Sequence, residues 1–126
     1  MVIRKASTRD LPAILKLIGE YPGQLMQSHL PKASEFLVAI EGRQIVGCCA
    51  LAIYSTRLAE IRSLAVNKSF QGRGIGTELI KACLRVAKKK RVHEVISLTS
   101  APILFKKHGF GAFNKEKYAL IKVLKN

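Results

Sequence analysis

Leu58-Ala59-Glu60-Ile61-Arg62-Ser63-Leu64-Ala65-Val66 and, after a short interval, Gln71-Gly72-Arg73-Gly74-Ile75-Gly76 form the stretch that organises this chain. The first run is largely apolar and strand-like. The residues after the second, 75–90, place Ile75, Leu79, Ile80, Cys83, Leu84 and Ala87 at helical spacing. A glycine-rich turn between a strand and a helix suits an anion. The first helical N–H groups have no partner within the helix, and the macrodipole adds partial positive charge there. Glycine also lets the backbone approach a phosphate with no Cβ in the way. The stretch therefore predicts a phosphate-bearing ligand at this helix start.

Spacing separates the phosphate loops. A nucleoside-triphosphate loop needs Lys-Ser or Lys-Thr after its second glycine, whereas Gly76 is followed by Thr77-Glu78. A dinucleotide fingerprint needs a third glycine where Thr77 stands, and Glu94 precedes a strand-like run instead of ending one.

Outward from this centre, residues 2–6 read as an edge strand. Ser7-Thr8-Arg9-Asp10 then caps a helix with Pro12 in its first turn. Leu11, Ile14, Leu15, Ile18 and Tyr21 recur at helical spacing until Pro22-Gly23. Residues 24–34 read as irregular or weakly helical. Residues 36–40 and 45–54 flank Glu41-Gly42-Arg43-Gln44 as a hairpin, and 58–66 extends the meander. A strand over 95–99, a short helix over 101–108 and a last strand over 118–123, with 110–114 as its partner, complete the expected order. Helices alternating with strands in this way predict an α+β or three-layer arrangement, a mixed sheet with helices on both faces.

With 126 residues and 48% apolar content, one domain is expected. The longest apolar run, residues 45–54, is too short to span a bilayer, and Met1-Val2-Ile3-Arg4-Lys5 lacks a signal peptide's apolar stretch; a cytoplasmic location is expected. Cys48, Cys49 and Cys83 fit reduced core thiols, not metal ligands or a nucleophile, and His29, His93 and His108 lack metal spacing. A net charge of +14 implies an acidic partner. Nucleic acid is not expected as the principal ligand: aromatics are sparse, and the cations at 85–91 fit a helix C-terminus.

Gln71-x-x-Gly74-x-Gly76 matches the pyrophosphate signature of the GNAT superfamily of N-acetyltransferases. Phe70 precedes it, and Ala101-Pro102-Ile103-Leu104-Phe105-Lys106-Lys107-His108-Gly109-Phe110 resembles that superfamily's last helix and Gly-Phe ending. The resemblance runs from Ile3 to about Lys122. It implies a three-layer α/β/α fold of α+β class, with a mixed, mostly antiparallel central sheet. It also implies acetyl-CoA as cosubstrate, no metal, a small-molecule amine acceptor, no membrane, and the homodimer that members often form. By the same resemblance, the backbone of Leu64, Ala65 and Val66 meets the acetyl carbonyl and pantetheine. Gln71, Gly72, Arg73, Gly74, Ile75, Gly76 and Thr77 hold the pyrophosphate, with Phe105 alongside the cofactor. Glu60 stands where the superfamily often places a general base; an ion pair with Arg62, or orientation of the acceptor, are its other readings.

Many members place an acidic tyrosine where this chain has Phe105; Tyr54, Tyr118 and His108 are unranked substitutes. Residues 59–66, the turn at 72–76, Ala101-Pro102, 105–110 and Gly47-Cys48-Cys49-Ala50-Leu51 resemble the acetyltransferase domain of N-acetylglutamate synthases and their short relatives. That likeness carries Lys32, Cys48 and Arg62 over as acceptor contacts, Lys32 standing near the place of a carboxylate-binding arginine. Residues 24–34 are shorter than in that family. Three functions stay open: acetylation of a small amine such as glutamate, acetylation of a protein terminus or lysine, and a non-catalytic CoA-binding module.

Overall fold

The computed structural model describes residues 1–112 and 120–124. The elements are β1 (Val2–Lys5), α1 (Leu11–Gly19), β2 (Phe36–Glu41), β3 (Gln44–Ile53), β4 (Leu58–Val66), α2 (Ile75–Lys89), β5 (Glu94–Ile96) and α3 (Pro102–Lys106). The strands lie side by side in chain order. The pairs from β1 to β4 are antiparallel, and β4–β5 is parallel. The class is α+β.

Asp10 fixes the start of α1. Its Oδ2 accepts the Ser7 N–H at 2.8 Å, and Arg4 donates to both carboxylate oxygens at 2.8 and 3.1 Å. Pro12 fits the first turn, where its missing N–H costs nothing. α1 buries Ile14, Leu17 and Ile18 against Phe36, Val38, Cys48 and Ala50. The alternate residues Leu37, Ala39, Cys49 and Leu51 turn to the other face, where Leu79, Ile80 and Cys83 of α2 cover them. These strands are therefore apolar on both faces because both faces are covered.

A bulge interrupts β4. Cys48 pairs with Ala65 but Ala50 pairs with Arg62, so β4 carries one extra residue there. Ser63 has φ +55°, a left-handed conformation uncommon outside glycine. The extra residue reverses the alternation. Ala59 and Ile61 pack toward α2 before it, while after it Ala65 packs toward α1 and Leu64 and Val66 toward α2. Gly47, opposite Val66, lets α2 approach: a Cβ there would lie 3.0 Å from both Ile75 Cγ2 and Leu79 Cδ1.

Several expected boundaries shift. β5 is Glu94–Ile96 and not 95–99, and α3 is Pro102–Lys106 and not 101–108. Residues 24–34 are irregular apart from a 3₁₀ turn at Ala33–Glu35. Of the expected last strand, residues 118 and 119 lie outside the described residues, and 120–123 form none. The proposed partner segment lies partly outside as well, and residues 110–112 form no strand.

Candidate active site

The parallel pairing of β4 with β5 ends at Glu60–Ile96. Ser97 Oγ still reaches the Ile61 carbonyl at 3.2 Å, and beyond it the two chains part. Asn67 donates its N–H to the Val46 carbonyl across the sheet, so by alternation Val66 and Leu64 turn their backbone groups to the opposite, open edge. Ala65 turns back toward β3. The splay opens a cavity of about 590 Å³ between residues 61–66, residues 97–101 and the turn before α2. That volume is in the range of small-ligand sites.

The turn closes one end of the cavity. Gly74 is the N-cap of α2 with φ +80°, a conformation that favours glycine, and it offers no side-chain cap. Glu78 N–H bonds to the Gly74 carbonyl at 3.1 Å, which leaves the N–H groups of Ile75, Gly76 and Thr77 without a helical acceptor. All three residues line the cavity. These donors and the helix dipole match a pyrophosphate in charge.

The structure brings most of the expected set together. Leu64, Ala65, Val66, Gln71, Gly72, Gly74, Ile75, Gly76, Thr77, Phe105 and Arg62 all line the cavity. Arg73 is not on the wall; its guanidinium lies 4.7 Å from the centre of the Phe70 ring, and Phe70 itself is on the wall. The charged side chains on the wall are Arg62 and Lys107, and no carboxylate lines it among the described residues.

Glu60 is one residue beyond the wall. It shares the α1-facing side of β4 with Arg62, since Ala52 and Ala50 are their partners on β3. Among the described residues the two form no ion pair. Arg62 instead donates to the His29 carbonyl at 3.1 Å, and Glu60 accepts from the Tyr54 hydroxyl at 2.5 Å. That hydrogen bond, with some burial, raises the Tyr54 phenol above its ordinary value.

Two expected acceptor contacts, Cys48 and Lys32, lie off the cavity wall. Cys48 is wholly buried between sheet and α1, and burial pushes its thiol up to about 12, so it offers neither surface nor charge to a ligand. Lys32 is exposed outside the cavity wall, where its backbone N–H donates to Glu35 in the 3₁₀ turn. Sequence reasoning also passed over wall residues. Tyr21 was read as the end of an apolar helix face, yet its hydroxyl meets the Val66 carbonyl and the Gln71 amide. Ser97 and Thr99 also line the cavity. Hydroxyl side chains directly after a short strand were the available signal for them.

Residues 32–111 match the acetyltransferase (GNAT) domain family, and the chain belongs to that family. It is similar to an uncharacterized N-acetyltransferase of Chlorobaculum tepidum, 34% identical over an alignment of 122 residues, gaps included, that covers 92% of this chain and 79% of that one. An amino-acid acetyltransferase of Mycobacterium tuberculosis is 36% identical over 118 residues, covering 86% of this chain and 67% of the relative. Among solved structures, Rv2747 from Mycobacterium tuberculosis, in complex with CoA and a further ligand, superposes with a TM-score of 0.84 at 34% identity, over 90% of this chain and 74% of that chain. N-acetylglutamate synthase from Neisseria gonorrhoeae, complexed with coenzyme A and N-acetyl-glutamate, superposes with a TM-score of 0.81 at 25% identity, over 92% of this chain but 29% of the synthase. Among the described residues no group of His, Cys, Asp and Glu could hold a metal, and no helix is long and apolar enough to cross a membrane.

Proposed function

We propose that this chain transfers an acetyl group from acetyl-CoA directly to the α-amine of an anionic amino acid, glutamate being the first candidate. One observation carries the reading: an uncapped helix start and the strand edge at Leu64, which has no strand partner among the described residues, open into the same cavity, whose charged wall residues are both cations. The N–H groups of Ile75, Gly76 and Thr77 suit the pyrophosphate, and the edge groups of Leu64 with the Val66 N–H suit the pantetheine amides, the Val66 carbonyl being bonded to Tyr21. The similarity to an amino-acid acetyltransferase and to a synthase solved with N-acetyl-glutamate supports the acceptor class.

In this reaction the amine nitrogen bonds to the thioester carbon and the carbon–sulfur bond breaks. The Leu64 N–H stands on the open edge as the donor for the oxygen that gains charge. Glu60 takes the proton lost by the ammonium through one water, since it lies just behind the wall. Arg62 holds the acceptor carboxylate, exchanging its contact with the His29 carbonyl for it. Phe105 lines the cavity in place of a hydroxyl acid, so the second proton lost by the nitrogen passes to solvent and the thiolate takes its proton from solvent.

The test is thiol release from acetyl-CoA with glutamate, aspartate, other amino acids, polyamines and lysine peptides. Turnover confined to acidic amino acids supports the proposal. Turnover confined to peptides moves the acceptor to a protein terminus or lysine. Tight CoA binding with no turnover on any acceptor, which Phe105 in place of the acid would favour, makes the chain a CoA-binding module.

A further inference from the structure

We infer that Tyr21 is a positioning residue for the cofactor, acting through the side chain of Gln71; the inference rests on the acetyl-CoA reading above. Tyr21 lies two residues beyond the end of α1, and its backbone N–H bonds back to the Ile18 carbonyl at 3.0 Å. Its hydroxyl crosses to the end of β4 and donates to the Val66 carbonyl at 2.5 Å. With the proton committed to Val66, the phenol oxygen is left as an acceptor, and the Gln71 Nε2 amide donates to it at 2.5 Å. Burial holds the phenol above its ordinary titration range, so it keeps the proton this arrangement needs.

The contact is part of a longer fastening. Glu20 Oε1 accepts the Lys68 N–H at 3.1 Å, and the Lys68 ammonium lies 5.4 Å from the centre of the Tyr21 ring. Asn67 is bonded to Val46 at 2.8 Å. The connection from β4 to the glycine turn is thus held at Asn67, Lys68 and Gln71, the last two by Glu20 and Tyr21 just beyond α1. The Tyr21 carbonyl also accepts the N–H groups of Gln24 at 3.2 Å and Leu25 at 3.0 Å, and both residues line the same cavity. One residue therefore joins Gln24 and Leu25 of the cavity wall to the glycine turn. A turn without this anchor would have to be ordered by the ligand, which weakens binding without altering the chemical step.

The experiment is a double-mutant cycle read by calorimetric titration of CoA into wild type, Tyr21→Phe, Gln71→Ala and the double variant. Tyr21→Phe keeps the ring and removes the hydroxyl. We expect each single variant to bind CoA about tenfold more weakly, the scale of one lost hydrogen bond. The double variant should match Gln71→Ala within about twofold, because the hydroxyl has nothing left to act through. In turnover, KM for acetyl-CoA should rise with kcat unchanged. Wild-type affinity in Tyr21→Phe overturns the inference. Losses that multiply in the double variant also overturn it, because a merely structural role in seating α1 would persist without Gln71. Wild type that fails to bind CoA overturns the acetyl-CoA reading itself, and this inference with it.

Discussion

The Tyr54 hydroxyl donates to Glu60 Oε1 at 2.5 Å, joining the residue after β3 to the acidic residue of β4. Arg62, two residues from Glu60, is turned away to the His29 carbonyl. The carboxylate stabilises the neutral phenol by accepting its proton in a hydrogen bond, and burial adds to this. Glu60→Gln should therefore bring the Tyr54 phenol down toward its ordinary value. The phenolate absorbance of each protein, less that of its Tyr54→Phe counterpart, isolates the one tyrosine. An unchanged Tyr54 titration in Glu60→Gln would show that the contact does not control it.

The same substitution tests the proton path. If Glu60 accepts the ammonium proton, Glu60→Gln should reduce kcat by about 10²-fold near neutral pH, the usual contribution of a positioned base. The deficit should narrow as pH rises, because free amine becomes abundant without help. A deficit equal at all pH values would assign Glu60 to orienting the acceptor.

Gly74 sets the turn at φ +80° and leaves the helix start uncapped. Gly74→Asn and Gly74→Asp both place a short polar side chain in a conformation these residues tolerate. They differ by a charge at the proposed pyrophosphate site. Asn should weaken CoA binding several-fold, and Asp by about 10²-fold or more, with the far-ultraviolet circular dichroism of both unchanged. Equal affinities for the two variants would remove the anion from this helix start.

The elements around this turn were legible because local rules and tertiary demands agree there. Gly42 between two apolar runs makes the β2–β3 hairpin, and Gly74 before a broad apolar stripe makes the start of α2. What was not legible depends on partners distant in sequence. The bulge at Ser63 is a register mismatch with β3, and nothing in Arg62-Ser63-Leu64 alone marks it. β5 stops at Ile96 because β4 diverges, not because Ser97 or Leu98 breaks a strand. Tyr21 fits the helical spacing of α1, and that spacing hides a hydroxyl whose partners lie 45 and 50 residues away. Cys48 and Lys32 were carried over by resemblance, and burial in one case and exposure outside the cavity in the other set them apart.

Gly47 holds the distance between β3 and α2. A Cβ there would meet Ile75 Cγ2 and Leu79 Cδ1 at 3.0 Å and the Ala65 carbonyl at 3.4 Å. Ile75 and Leu79 are buried, so neither has free space to move into. Gly47→Ala should cost about 1–3 kcal/mol, the usual range for overpacking. In urea the midpoint should fall at constant slope. Because Ile75 is the first residue of α2, CoA affinity should fall as well. Unchanged stability would mean that the helix shifts freely on the sheet.

Asp10 gives the fold an acid-sensitive element outside the cavity wall. The hydrogen bonds from Arg4, and then the Ser7 N–H, hold its carboxyl at about 2, below its ordinary 3.8. A depressed carboxyl stabilises the fold while it is ionised in both states. That stabilisation is complete above the unfolded value, declines as pH falls from about 4 to about 2, and is absent below the folded value. Asp10→Asn should lower stability by about 1–2 kcal/mol at neutral pH, since it removes the ionic acceptor at the entry to α1. Half-exposure of Arg4 keeps the effect from being larger. Urea unfolding of both proteins across this pH range should show the two stabilities converging as pH falls toward 2. Parallel curves would mean that Asp10 is ionised no more readily in the folded chain than in the unfolded one.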